Sequence, residues 1–123
     1  MLLGLAAVLL ALTAIVHSLL GERFILRRLA KLENLPRLPL GGREMMKPIL
    51  RFAWHITSFF MLGFAVLLAL MAADAFSAQR IATVIGITFL ACAVFSAVAS
   101  KGRHLSWAVF LLVSGACLHA IGD

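Results

Sequence analysis

Four apolar stretches that contain no Asp, Glu, Lys or Arg divide this sequence and constrain its fold more than any other feature. They cover residues 2–20, 52–73, 81–99 and 105–121. A helix needs about 20 mostly apolar residues to cross the hydrocarbon core of a bilayer. Apolar residues make up 63% of the chain, which is too many for the core of a small soluble domain. The sequence therefore predicts an all-α membrane protein, an antiparallel four-helix transmembrane bundle that forms a single domain over residues 1–123.

Positive charge is concentrated at one side of these predicted spans. Eight of the 11 Lys and Arg residues lie between Arg23 and Arg51. Lys101 and Arg103 lie in the connection between the third and fourth spans, and Arg80 alone lies on the opposite side. Because basic residues collect in cytoplasmic loops of membrane proteins, we expect both termini to lie outside the cytoplasm. Nucleic acid is not an expected partner, since the charge lies in loops between spans.

The connection between the first two spans, residues 21–51, is predicted to be a basic amphipathic cytoplasmic loop. Its first part has helical spacing, with leucines on one side of a helical wheel and basic residues on the other. We expect the first helix to continue past the membrane surface. There it either lies on anionic headgroups or is a solvated helix that packs on the bundle, and the sequence favours neither. Prolines and glycines in 35–42 predict a break. The residues predicted to contact the membrane surface are Arg23, Arg27, Arg28, Lys31, Arg51, Lys101 and Arg103, with Trp54 and Trp107 as interface aromatics.

Small residues recur at four-residue spacing within the spans, a pattern that favours close helix packing in lipid. The pairs are Ala7 and Ala11, Ala82 and Gly86, and Ala93 and Ala97. The two cysteines, Cys92 and Cys117, lie inside apolar stretches and form no CxxC motif. We interpret both as small core residues rather than redox or zinc ligands.

Three of the four histidines are expected at the cytoplasmic ends of the spans, at similar depth. They are His17, His55 and His104, with Glu22 at the end of the first helix. Imidazoles together with a carboxylate are ligands for zinc, iron or copper, and two facing histidines can hold a haem. The sequence therefore suggests a metal or haem site formed by these four residues. The alternatives are interfacial side chains that hydrogen bond to neighbouring helices, or groups that handle protons.

Three segments carry a resemblance to a known family. They are AIVHSLLGER at 14–23, ILRFAWHITS at 49–58 and SKGRHLSWAVF at 100–110. Together they resemble an uncharacterised family of small four-span bacterial inner-membrane proteins. The resemblance implies a shared fold and no particular activity. It also implies that His17, His55 and His104 are the histidines that carry the motifs.

Three functions from different classes remain open at this point. The first is a non-catalytic subunit or accessory protein that packs against a larger membrane complex, or against copies of itself, through its small-residue faces and basic loop. The second is a metal- or haem-binding protein in electron transfer or redox chemistry, with its site at the cytoplasmic face. The third is proton-linked transport of a small solute between the helices. The sequence does not decide whether the protein is an enzyme.

Overall fold

The structure is a computed structural model that describes residues 1–36, 42 and 44–122. Four helices make up most of the described chain, which confirms the all-helical prediction. They are α1 (Leu2–Leu29), α2 (Met46–Ala72), α3 (Ala78–Ser100) and α4 (Ser106–His119). The first three are long and apolar enough to cross a membrane. At about 1.5 Å per residue, the 14 residues of α4 extend about 21 Å, less than the hydrocarbon core of about 30 Å.

Helix α1 continues beyond the predicted span 2–20, as the amphipathic pattern after Leu20 indicated. Its backbone is α-helical to Leu20, π-helical over Gly21–Leu26 and α-helical again over Arg27–Leu29. The predicted break follows it, although residues 37–41 and 43 lie outside the described residues. The predicted loop 21–51 is thus helical at both ends.

Helix α2 begins at Met46, six residues before the predicted span 52–73. Pro48 had suggested a later start. A proline is tolerated in the first turn of a helix because the first backbone N–H groups have no helical partner. The helix therefore includes Arg51 in its second turn, on the same continuous element as His55.

Each helix packs against the next one along the chain. Between α1 and α2, Gly4 approaches Ala72 at one end and Glu22 contacts Arg51 at the other. Helices α2 and α3 meet at Phe59 and Phe95. Helices α3 and α4 meet where Ser114 donates a hydrogen bond of 2.8 Å to the carbonyl of Gly86, and where Ser96 pairs with Ser106.

Extensive contacts join only consecutive helices in the described ranges, so the four helices form an open row. Helix α1 packs on α2, and the buried cluster of Phe52, Ile56 and Cys92 lies where α2 and α3 meet. Most large apolar side chains of α1 are exposed. Three of the six small residues predicted to mediate helix packing are buried within the chain: Ala7, Gly86 and Ala93.

Candidate functional site

A carboxylate held by an arginine lies between α1 and α2. Arg51 of α2 donates hydrogen bonds to Glu22 of α1, from Nε to Oε2 at 3.0 Å and from Nη2 to Oε1. The Nε of Arg27 is 3.7 Å from Oε1. The Glu22 side chain is 19% exposed, whereas those of Arg51 and Arg27 are 57% and 70% exposed. The carboxylate side chain is therefore mostly buried, whereas both arginine side chains are more than half exposed.

His55 joins this pair from one helical turn further along α2. Its Nε2 is 3.3 Å from Glu22 Oε2, and its Nδ1 is 2.6 Å from the hydroxyl oxygen of Ser18. A carboxylate only accepts hydrogen bonds, so the network assigns the Nε2 proton to the Glu22 contact. In the neutral ring, Nδ1 then accepts from Ser18. We call Ser18, Glu22, Arg51 and His55 the Glu22 cluster.

The π-helical turn shapes the backbone beside this cluster. Gly21 is buried, and a Cβ there would overlap the indole Nε1 of Trp54. That indole donates a hydrogen bond of 3.1 Å to the carbonyl of His17. Single π-turns within α-helices occur often at functional sites. Apolar periodicity does not signal a π-turn, and the glycine at 21 was the single sequence clue to the close approach.

His17 lies beside the Glu22 cluster but has other partners. Its ring stacks on Trp54, with centroids 4.5 Å apart and planes within 1°. Its Nε2 is 3.0 Å from the hydroxyl oxygen of Thr57. Trp54, predicted as an interface aromatic, therefore also joins α1 to α2 through a ring stack and a hydrogen bond.

His104 lies on another side of α2, at the turn between α3 and α4. Its Nδ1 is 2.8 Å from the hydroxyl oxygen of Ser106, and its ring packs against Phe52 with centroids 5.0 Å apart. Trp107, the other predicted interface aromatic, donates to the carbonyl of Gly102 at 3.2 Å. These contacts fix the turn between the last two helices.

The four residues predicted as metal or haem ligands are thus divided between three local environments. The structure brings Glu22 and His55 together, and it places His17 and His104 with Thr57 and Ser106 as hydrogen-bond partners. Among the described residues, no group of three or more His, Cys, Asp or Glu side chains could hold a metal ion. The reason is rotational: positions at similar depth still point to different sides of their helices.

A groove of about 500 Å³ opens next to the Glu22 cluster. Glu22, Arg27, Lys47, Arg51 and His55 supply its polar side chains. Its other lining residues are apolar: Leu26, Leu29, Ala30, Leu35, Pro48, Leu50, Phe95, Val98 and Ala99. The groove therefore lies over the start of α2, between α1 and the end of α3. The sequence had no signal for it, because α3 contributes only apolar residues.

The seven basic residues predicted at the membrane surface are all exposed. Arg27 and Arg51 differ from the other five in also lining the groove. Arg28 is adjacent to Arg27 in sequence but does not line the groove.

Comparison of the chain with protein-family profiles, curated proteins and solved structures finds no match. The resemblance to a family of small four-span membrane proteins remains a prediction.

Proposed function

We propose that this chain is a four-span integral protein of the bacterial inner membrane, an antiparallel bundle with both termini outside the cytoplasm. The support is the three long apolar helices, together with an excess of basic residues at the end that carries Arg51 and Arg103. Residues 105–121 form the fourth crossing, and the short α4 then lies within a locally thinner or adjusted bilayer.

At its basic end the protein binds an anionic ligand, as a non-catalytic accessory protein of the membrane. The observation that carries this proposal is the pair of exposed arginines, Arg27 and Arg51, at the mouth of the groove. Arg51 donates two of its N–H groups to Glu22, and a guanidinium carries five N–H donors. The remaining donors are free for a phosphate or carboxylate, which arginine forks bind well.

A ligand site is better supported than docking through small-residue faces. Ala7, Gly86 and Ala93 are buried in contacts within the chain, so those residues do not offer a surface to a larger complex. Proteins that associate with this one would contact the apolar side chains of α1 or the basic loop.

Two compounds that share an octyl chain and differ in their head group test the proposal. Octyl phosphate and octyl glucoside are titrated calorimetrically against the protein in maltoside micelles, with empty micelles as the reference. We expect the phosphate to bind more tightly, with an affinity that falls as salt is added. Equal binding of the two compounds would contradict the proposal.

Arg27→Gln and Arg28→Gln form a matched pair for the same titration. The first removes a cation from the groove, and the second removes one from the adjacent exposed position. We expect Arg27→Gln to weaken octyl phosphate binding about tenfold to a hundredfold, the value of one charge-assisted hydrogen bond, and Arg28→Gln to leave it nearly unchanged. An equal loss in both variants would show general charge attraction rather than a site.

A further inference from the structure

The walls of the groove are apolar below the two arginines. Leu26 of α1 is buried, Phe95 of α3 packs edge-on against the ring of His55, and Val98 of α3 is 72% exposed. All three line the groove. A site for a small hydrated anion such as free phosphate does not need walls of this kind, because they provide no hydrogen bonds.

The open row of helices leaves a path from the groove into the membrane. The groove lies over α2, and its two side walls belong to α1 and α3, which share no extensive contact in the described ranges. In a bilayer the space between α1 and α3 faces hydrocarbon at the depth of the apolar stretches, and headgroups at the depth of the arginines.

Charge at the mouth favours an anion despite the carboxylate of Glu22. Arg27 and Arg51 carry two positive charges against the single negative charge of Glu22, which leaves one positive charge. Lys47 also lines the groove, but it borders a second cavity that is lined by Glu33 and Glu44. We therefore assign the head group to the two arginines.

We propose that the groove binds a single-chain amphiphile with a phosphate or carboxylate head, whose chain lies between α1 and α3. The head group contacts Arg27 and Arg51, and the chain packs on Leu26, Phe95 and Val98. A volume of about 500 Å³ lies in the lower half of the range of about 300–1,000 Å³ for ligand pockets, which suits one chain rather than two. This inference rests on the proposed anion site and names its ligand class.

A chain-length series tests this ligand class separately from the anion site. Ethyl, butyl, hexyl, octyl and decyl phosphate share one head and differ only in apolar length. We expect affinity for the protein, after subtraction of empty micelles, to rise up to about fourfold for each methylene that the groove buries. If ethyl phosphate binds as tightly as decyl phosphate, the ligand is a water-soluble anion and this inference fails while the anion site stands. If octyl glucoside equals octyl phosphate, the proposed function fails.

Val98→Trp and Val94→Trp provide the matched variants. Both valines are exposed on α3 and lie one turn apart, but only Val98 lines the groove. We expect Val98→Trp to fill the path of the chain, so that decyl phosphate binding falls to the level of ethyl phosphate. Val94→Trp should bind both as the wild type does. Unchanged decyl phosphate binding in Val98→Trp, or an equal loss in Val94→Trp, would overturn the inference.

Discussion

Glu22 Oε2 lies 3.3 Å from the Nε2 of His55, although 33 positions separate the two residues in the chain. The contact joins the π-helical turn of α1 to His55, which lies one helical turn after Arg51 on α2. Arg51 holds the same carboxylate, and Ser18 holds the other ring nitrogen of His55. Removal of the carboxylate would therefore leave both an arginine and a histidine without their shared acceptor.

Glu22→Gln should destabilise the contact between α1 and α2. A glutamine keeps the size of the side chain but loses the charge that pairs with Arg51, and part of the cost is offset because Arg51 is more than half exposed. We expect a loss of about 1–2 kcal/mol, seen as a lower midpoint in thermal unfolding followed by circular dichroism in detergent. Glu33→Gln changes an exposed glutamate and is the control. Equal midpoints for the two variants would argue against a stabilising role for the cluster.

Gly21→Ala should disrupt the packing of Trp54. The added Cβ would overlap the indole nitrogen, so the ring must move from its stack on His17 and lose its bond to the His17 carbonyl. We expect a lower unfolding midpoint and a change in tryptophan emission. Gly115→Ala is the matched control, because a Cβ there meets no atom within 4 Å and alanine favours a helix by up to about 1 kcal/mol. A Gly21→Ala protein with the stability and emission of the wild type would refute the observed approach.

Ser18→Ala and Ser58→Ala should have different effects on stability. Ser18 hydrogen bonds to His55 across the helix interface, so its loss should cost about 1 kcal/mol. Ser58 Oγ is buried and has no hydrogen-bond partner among the described residues. Removal of an unsatisfied hydroxyl removes its desolvation penalty, and we expect Ser58→Ala to be neutral or stabilising in the same unfolding assay. If Ser58→Ala is the more destabilising change, the Ser58 hydroxyl is not an unsatisfied group.

Cysteine labelling tests the proposed orientation. In a background with Cys92→Ala and Cys117→Ala, a single cysteine is introduced as Arg28→Cys or Gln79→Cys, both at exposed positions. Because basic loops remain cytoplasmic, an impermeant maleimide should label Gln79→Cys in intact spheroplasts and Arg28→Cys only after permeabilisation. The reverse pattern would place both termini in the cytoplasm.

Much of the helical architecture was predictable from the sequence. The apolar stretches 2–20, 52–73 and 81–99 appear as long helices, and the amphipathic pattern after Leu20 correctly indicated that α1 continues. Helix α2 begins at Met46, six residues before the predicted span 52–73, and it includes Pro48 because the first turn of a helix accepts a proline. The fourth predicted span forms a helix of only 14 residues.

The candidate site was only partly predictable. Depth along the spans brought Glu22 and His55 into one prediction, and the structure places them in contact. The same reasoning grouped them with His17 and His104, whose ring nitrogens face Thr57 and Ser106. Depth depends on position along a helix axis, which a sequence shows, whereas side-chain direction depends on rotation about that axis and on the neighbouring helix.

By itself the sequence determined what local composition controls: helices, their approximate lengths and the side of the predicted spans where positive charge collects. Only the tertiary structure decided which side chains bind the carboxylate of Glu22 and where a π-helical turn brings Gly21 against Trp54. It also decided that a groove opens between α1 and α3. Those features arise from contacts between residues tens of positions apart. Such contacts depend on how each helix is rotated and packed, and no single stretch of sequence contains that information.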